Sequence, residues 1–143
     1  LKISYLGKAS NDRLKPYGRI MNALYTILLL LASNVFMTLA WYGHLKLQNI
    51  GFFTNATPLI FVILLSWGIA FFEYCLQVPA NRMGFEGNGG PFTLMQLKVI
   101  QEVITLVVFV LFSALAFHMP LRWNHFVACL FLIGAVYFVF GFK

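Results

Sequence analysis

Acidic residues are scarce in this 143-residue chain: four stand against ten basic ones, and charged side chains make up only 10% of it. Soluble domains carry about 25% charged residues, and a water-soluble fold of this length cannot hide an apolar fraction of 61%. Of the two cysteines, Cys75 and Cys129 each fall in an apolar run, which points to small buried thiols and away from a disulfide framework. No closing Gly-Lys-Ser/Thr and no dinucleotide fingerprint accompanies Gly87-Asn88-Gly89-Gly90-Pro91, so this is not a glycine-loop phosphate cradle. Nothing forms a nucleophile, base and orienter set, which argues against an enzyme. His44, His118 and His125 match no zinc spacing and read as interfacial residues, so neither metal nor cofactor is expected.

What the chain has is four long apolar runs. A continuous apolar segment of about 20 residues is stable as a helix across a bilayer, where every backbone group must be paired internally. The fold class read from this pattern is all-α, an integral membrane four-helix bundle with spans at about 23–42, 58–78, 94–117 and 123–142. Trp41-Tyr42 suits the headgroup level at the end of span one. Pro58 is a good first-turn residue and Pro79 reads as the end of span two. Residues 80–93 read as a flexible loop. Residues 1–20 read as a basic, disordered tail, and Met21 reads as a candidate natural start, with 21–143 as the one transmembrane domain.

Five of the ten basic residues (Lys2, Lys8, Arg13, Lys15 and Arg19) crowd the first nineteen positions. Beside a span they report membrane orientation, and nucleic acid is not an expected partner. Lys2, Lys8, Arg13, Lys15, Arg19, Arg82, Lys98 and Lys143 share one side of a four-span chain, and Lys46 and Arg122 the other, which predicts both termini in the cytoplasm. Starting from Met21 the bias shrinks to three against two, and a chain so balanced can insert both ways.

An ionisable side chain at mid-bilayer costs roughly 2.5–3.5 kcal/mol on insertion scales, so Glu73 and Glu102 need an interfacial position or a use. Helical spacing places Ser66, Ala70, Glu73 and Gln77 along one side of span two. Lys98, Gln101, Glu102, Thr105, Phe109 and Ser113 share one side of span three. Across the hairpin the two glutamates are expected to be neighbours. Carboxylates held close in a low dielectric cannot both ionise cheaply, so the pair forms a site that exchanges a proton or a cation. The alternative is static pairing, Glu73 with Arg82 or Lys98 and Glu102 with Lys98 one turn earlier. Asn34 of span one reads as interhelical glue or as lining of the same cavity. Trp67 is a packing residue or an aromatic wall for a cationic or flat substrate. Span four has Gly134 and Gly141 two turns apart on one side, a candidate face for a homodimer, with packing inside the monomer as the alternative.

The chain also resembles a known family. Its Ala32-Ser33-Asn34-Val35-Phe36-Met37-Thr38, its Ser66-Trp67-Gly68-Ile69-Ala70-Phe71-Phe72-Glu73-Tyr74 and its Gln96-Leu97-Lys98-Val99-Ile100-Gln101-Glu102-Val103 are similar to the bacterial four-span proteins called domain of unknown function 486. That family is placed in the drug/metabolite transporter superfamily. A more distant likeness is to the small multidrug resistance exporters, antiparallel dimers that exchange protons for organic cations. The essential glutamate of those exporters lies in a stretch resembling the one that holds Asn34 here, so the carboxylate is missing where their mechanism needs it. The resemblance implies a multi-pass protein of the bacterial inner membrane. Together these readings give a small-solute transporter, proton-coupled through Glu73 and Glu102, with Asn34, Trp67 and Gln101 lining its cavity. The rival is a non-transporting scaffold or small subunit of a larger membrane complex.

Overall fold

A computed structural model of the chain describes residues 2–120 and 122–141, with side chains described from residue 16 onward. The side chains of Lys2, Lys8, Arg13, Lys15 and Lys143, which enter the charge count above, lie outside the described residues. Four helices carry the fold: α1 (Lys2–Asn49), α2 (Leu59–Gly84), α3 (Leu94–Phe117) and α4 (Trp123–Gly141). All four contain a stretch long and apolar enough to cross a membrane, in α1 within Pro16–Asn49. The architecture is the all-α four-helix membrane bundle expected. At 1.5 Å per residue α1 is about 72 Å long, more than twice the hydrocarbon thickness. Its N-terminal part, read above as a tail, continues the helix back to Lys2.

α1 is the central rod. α2 packs antiparallel along it, α3 packs parallel to it on another side, and α4 leans on α3. The buried residues of α1 are Thr26, Leu30, Ser33, Asn34, Thr38 and Ala40, so its core stripe is mostly polar. That composition suits a lipid environment: apolar burial gives no advantage over lipid tails, and helices associate through close approach and hydrogen bonds. Both devices are present. Ala80 and Gly84 of α2 are buried against α1, and a Cβ at Gly84 would fall 2.7 Å from Thr26 Cγ2 and 2.8 Å from Leu97 Cδ2. Ser33 donates its hydroxyl to Gln77 Oε1 at 2.8 Å, and Thr105 donates to Asn34 Oδ1 at 2.5 Å.

Two further segments differ from the sequence reading. α2 does not stop at Pro79 but runs on to Gly84. One proline removes one backbone donor, and a membrane helix tolerates this because its neighbours keep the remaining groups satisfied. The glycine-rich connection is also more ordered than the flexible loop expected. A 3₁₀ turn at Glu86–Asn88 is closed by Glu86 N–H to Phe92 O at 2.8 Å and Phe92 N–H to Gly84 O at 2.9 Å. Asn88 Nδ2 donates to Arg82 O at 3.0 Å. Gly90 lies so close to the Gly84 carbonyl that any Cβ there would collide with backbone, so this glycine is needed for the turn to fold back.

α3 starts on a capping box, with Gln96 N–H donating to Thr93 Oγ1 at 3.2 Å and Thr93 N–H to Gln96 Oε1 at 3.0 Å. Its C-terminal end is held by Lys46, which donates to the Ala116 carbonyl and lies over the Phe117 ring, a favourable place for a cation.

Candidate functional site

The sequence reading gathered Glu73, Glu102, Asn34, Trp67 and Gln101 around one cavity. The folded chain does not gather them: Trp67 lines a groove between α1 and α2, Glu102 a cleft between α1 and α3 and Gln101 a crevice at the loop end, while Asn34 and Glu73 line none of these. The Ser33–Gln77 and Asn34–Thr105 bonds put Gln77 and Thr105 at nearly the same depth. Glu73 lies four residues from Gln77 toward the start of α2, and Glu102 three residues from Thr105 toward the start of α3. Because α2 and α3 run in opposite directions, these offsets add to about 10 Å along the bundle axis. The two helices also pack on α1 rather than broadly on each other. The expected meeting of the two glutamates is therefore corrected: they occupy separate environments.

Glu102 is solvent- or lipid-facing, with its side chain 53% exposed, and its Oε1 lies 2.5 Å from Lys98 Nζ one turn earlier on α3. This is the static pairing weighed above, now seen for this residue. Its carboxylate borders a cleft of about 200 Å³ between α1 and α3, walled by Thr38, Trp41, Tyr42, Thr105 and Phe109. The Tyr42 and Phe109 rings are in contact, with centroids 4.9 Å apart.

Glu73 is different in every respect. With α2 extended to Gly84 it stands near the middle of the helix, 9% exposed against α1. No hydrogen bond or ion pair reaches it from the described residues, and in particular neither Arg82 nor Lys98 pairs with it. A carboxyl group in this position is costly unless it is used. On its stripe Gln77 is taken by Ser33, while Ala70 and Ser66, one and two turns the other way, line an open groove of about 460 Å³ between α1 and α2. Ala40, Trp41, His44 and Trp67 complete much of that wall. Trp67 is 70% exposed, so it is a groove and surface residue and not a packed one. His44 adds a buried Nδ1 without a hydrogen-bond partner among the described residues.

Asn34 is 1% exposed and fully engaged: Nδ2 donates to Leu30 O at 2.8 Å and Oδ1 accepts from Thr105. It lines none of the grooves described. Gln101 faces a different crevice, at the loop end between α2 and α3, together with Arg82 and Lys98. His118 caps α3 in a left-handed conformation, φ 52°, and His125 Nδ1 accepts from Arg122 N–H at 2.8 Å near the start of α4. Sequence reasoning missed the Ala80/Gly84 contact, although Ala-x-x-x-Gly is a small-residue spacing visible in the chain.

Four apolar helices around a polar seam, with the buried Glu73 carboxyl unpaired among the described residues, define a multi-pass membrane protein with a polar interior. The chain belongs to the family described as "Putative member of DMT superfamily (DUF486)", which matches residues 26–140. No curated protein and no solved structure matches it.

Proposed function

We propose that this protein is a small-solute carrier in which Glu73 exchanges a proton or cation with the groove between α1 and α2. The observation that carries this reading is the isolation of Glu73: it is buried at mid-helix, charged or protonated, with no basic partner among the described residues. An intramembrane carboxyl of that kind is by default a functional group. Trp41 and Trp67 give the groove aromatic faces suited to a cationic or flat solute, and Ser66 and His44 supply polar contacts. Glu102, held by Lys98 at the α1–α3 cleft, acts as a second, gated carboxylate that opens only when the ion pair parts. Asn34 holds α3 to α1, and Gln101 serves the loop end.

Placement in the bacterial inner membrane with both termini cytoplasmic, and a homodimer through α4, complete the proposal. The family membership supports carriage of solute over catalysis. The scaffold reading draws on one specific observation, the closed hydrogen bonding of Ser33, Asn34, Gln77 and Thr105, which rigidifies the bundle. Purified protein in liposomes loaded with a pH-sensitive dye, challenged with a panel of organic cations and neutral solutes, separates the two. Carriage predicts a solute-dependent change in internal pH; a flat trace across the panel favours the scaffold.

A further inference from the structure

The loop end of the bundle holds a crevice of about 440 Å³ between the last turns of α2 and the first turns of α3. Its polar rim is Asn81, Arg82, Asn88, Lys98 and Gln101, with no acidic residue in the lining, while Val78 and Leu97 are among its apolar walls. The Arg82 guanidinium makes no hydrogen bond or ion pair with the described residues. Its backbone carbonyl is tied to Asn88, so the folded loop fixes the residue that bears the free cation. A planar guanidinium with several donors, an ammonium and an amide around one opening match the oxygens of a phosphate group. Basic pockets between spans at a membrane surface recognise anionic headgroups by this chemistry.

We infer that this crevice binds a net-anionic phosphate ester, gripped by Arg82 and Lys98 with Asn81 and Gln101 as neutral donors. No glycine cradle is involved; the side chains supply the donors. The site does not rest on the exchange at Glu73, which is not among the residues lining this crevice; it shares with the carrier reading only the Lys98–Glu102 pair. Glu102 is its regulator: by pairing with Lys98 at 2.5 Å it competes with the phosphate for the ammonium.

The test is native mass spectrometry of the full chain released from neutral detergent, with phosphatidylglycerol and phosphatidylcholine supplied together. Phosphatidylglycerol is expected to be retained in preference. Arg82→Gln should cut that preference roughly fivefold, as loss of one interfacial cation does, while Arg82→Lys keeps most of it. Glu102→Gln should raise it by freeing Lys98. Displacement by millimolar glycerol phosphate identifies a soluble phosphate ester as sufficient, and resistance to it identifies the lipid as the source; both support the site. Equal retention of the two lipids, or an unchanged preference in Arg82→Gln combined with Lys98→Gln, overturns it.

Discussion

Ser33 of α1 and Gln77 of α2 share a hydrogen bond of 2.8 Å one helical turn from Glu73. The bond commits the one hydroxyl proton of Ser33, which therefore is not donated to that carboxyl, and it fixes the depth at which α1 and α2 meet. Asn34 does the same for α3 through Thr105. Interhelical bonds of this kind contribute about 0.6 kcal/mol, and at most about 1.7, in membrane proteins. Double-mutant cycles of Ser33→Ala with Gln77→Leu, and of Asn34→Ala with Thr105→Val, should give coupling energies in that range in micelle unfolding titrations. Thr105 retains its bond to Gln101 O when Asn34 is lost, so no orphaned hydroxyl is expected to inflate the second value.

Small residues at the α1–α2 crossing and in the loop should be less forgiving. Gly84→Val places new atoms against Thr26 and Leu97, and Gly90→Ala drives a methyl into the Gly84 carbonyl. Overpacking costs typically ~1–3 kcal/mol. Thermal unfolding in detergent should show both variants destabilised, with Gly134→Ala nearly neutral because nothing lies within 4 Å of a Cβ at that position.

The overall architecture could be read from residue order because it rests on span length alone, and four apolar runs admit few alternatives in a bilayer. The candidate site could not. Pro79 reads as a stop signal, so the reading ended span two early, displaced Glu73 from the middle of its helix and hid the Ala80-x-x-x-Gly84 contact from view. Helical periodicity placed Glu73 and Glu102 each on a polar stripe, but it carries no information on which neighbour a stripe faces. The α2 stripe meets α1, whereas the α3 stripe divides: Thr105 and Phe109 meet α1, and Lys98 and Gln101 face the crevice toward α2. The polar seam of α1 itself consists of weak helix formers that local patterns read as ambiguous. The loop was read from glycine content as flexible, whereas the backbone pairing of Gly84 and Glu86 with Phe92 depends on how the segment folds back on itself, which composition does not encode.

The Lys98–Glu102 pair is an exposed i,i+4 contact, and such pairs stabilise by about 0.3–0.5 kcal/mol. Lys98→Gln and Glu102→Gln should each leave unfolding stability within roughly that margin. A large loss in either variant, measured in the same detergent, would mean that the pair supports packing.

α4 leaves Leu130, Phe131, Ile133 and Phe138 exposed and touches little besides α3. If the homodimer forms there, Gly134→Ile should block close approach and shift the protein toward monomer in lipid-corrected light scattering or cysteine crosslinking. Unchanged dimerisation would move the interface to another helix.

The decisive measurement compares the unmodified chain with Glu73→Gln and Glu102→Gln in oriented liposomes, recording internal pH as solute is added. Glu73→Gln is predicted to lose the solute-dependent proton signal while remaining folded by circular dichroism, and Glu102→Gln to retain it with altered rate. A normal signal from Glu73→Gln would contradict the assignment of that buried carboxyl as the exchanging group.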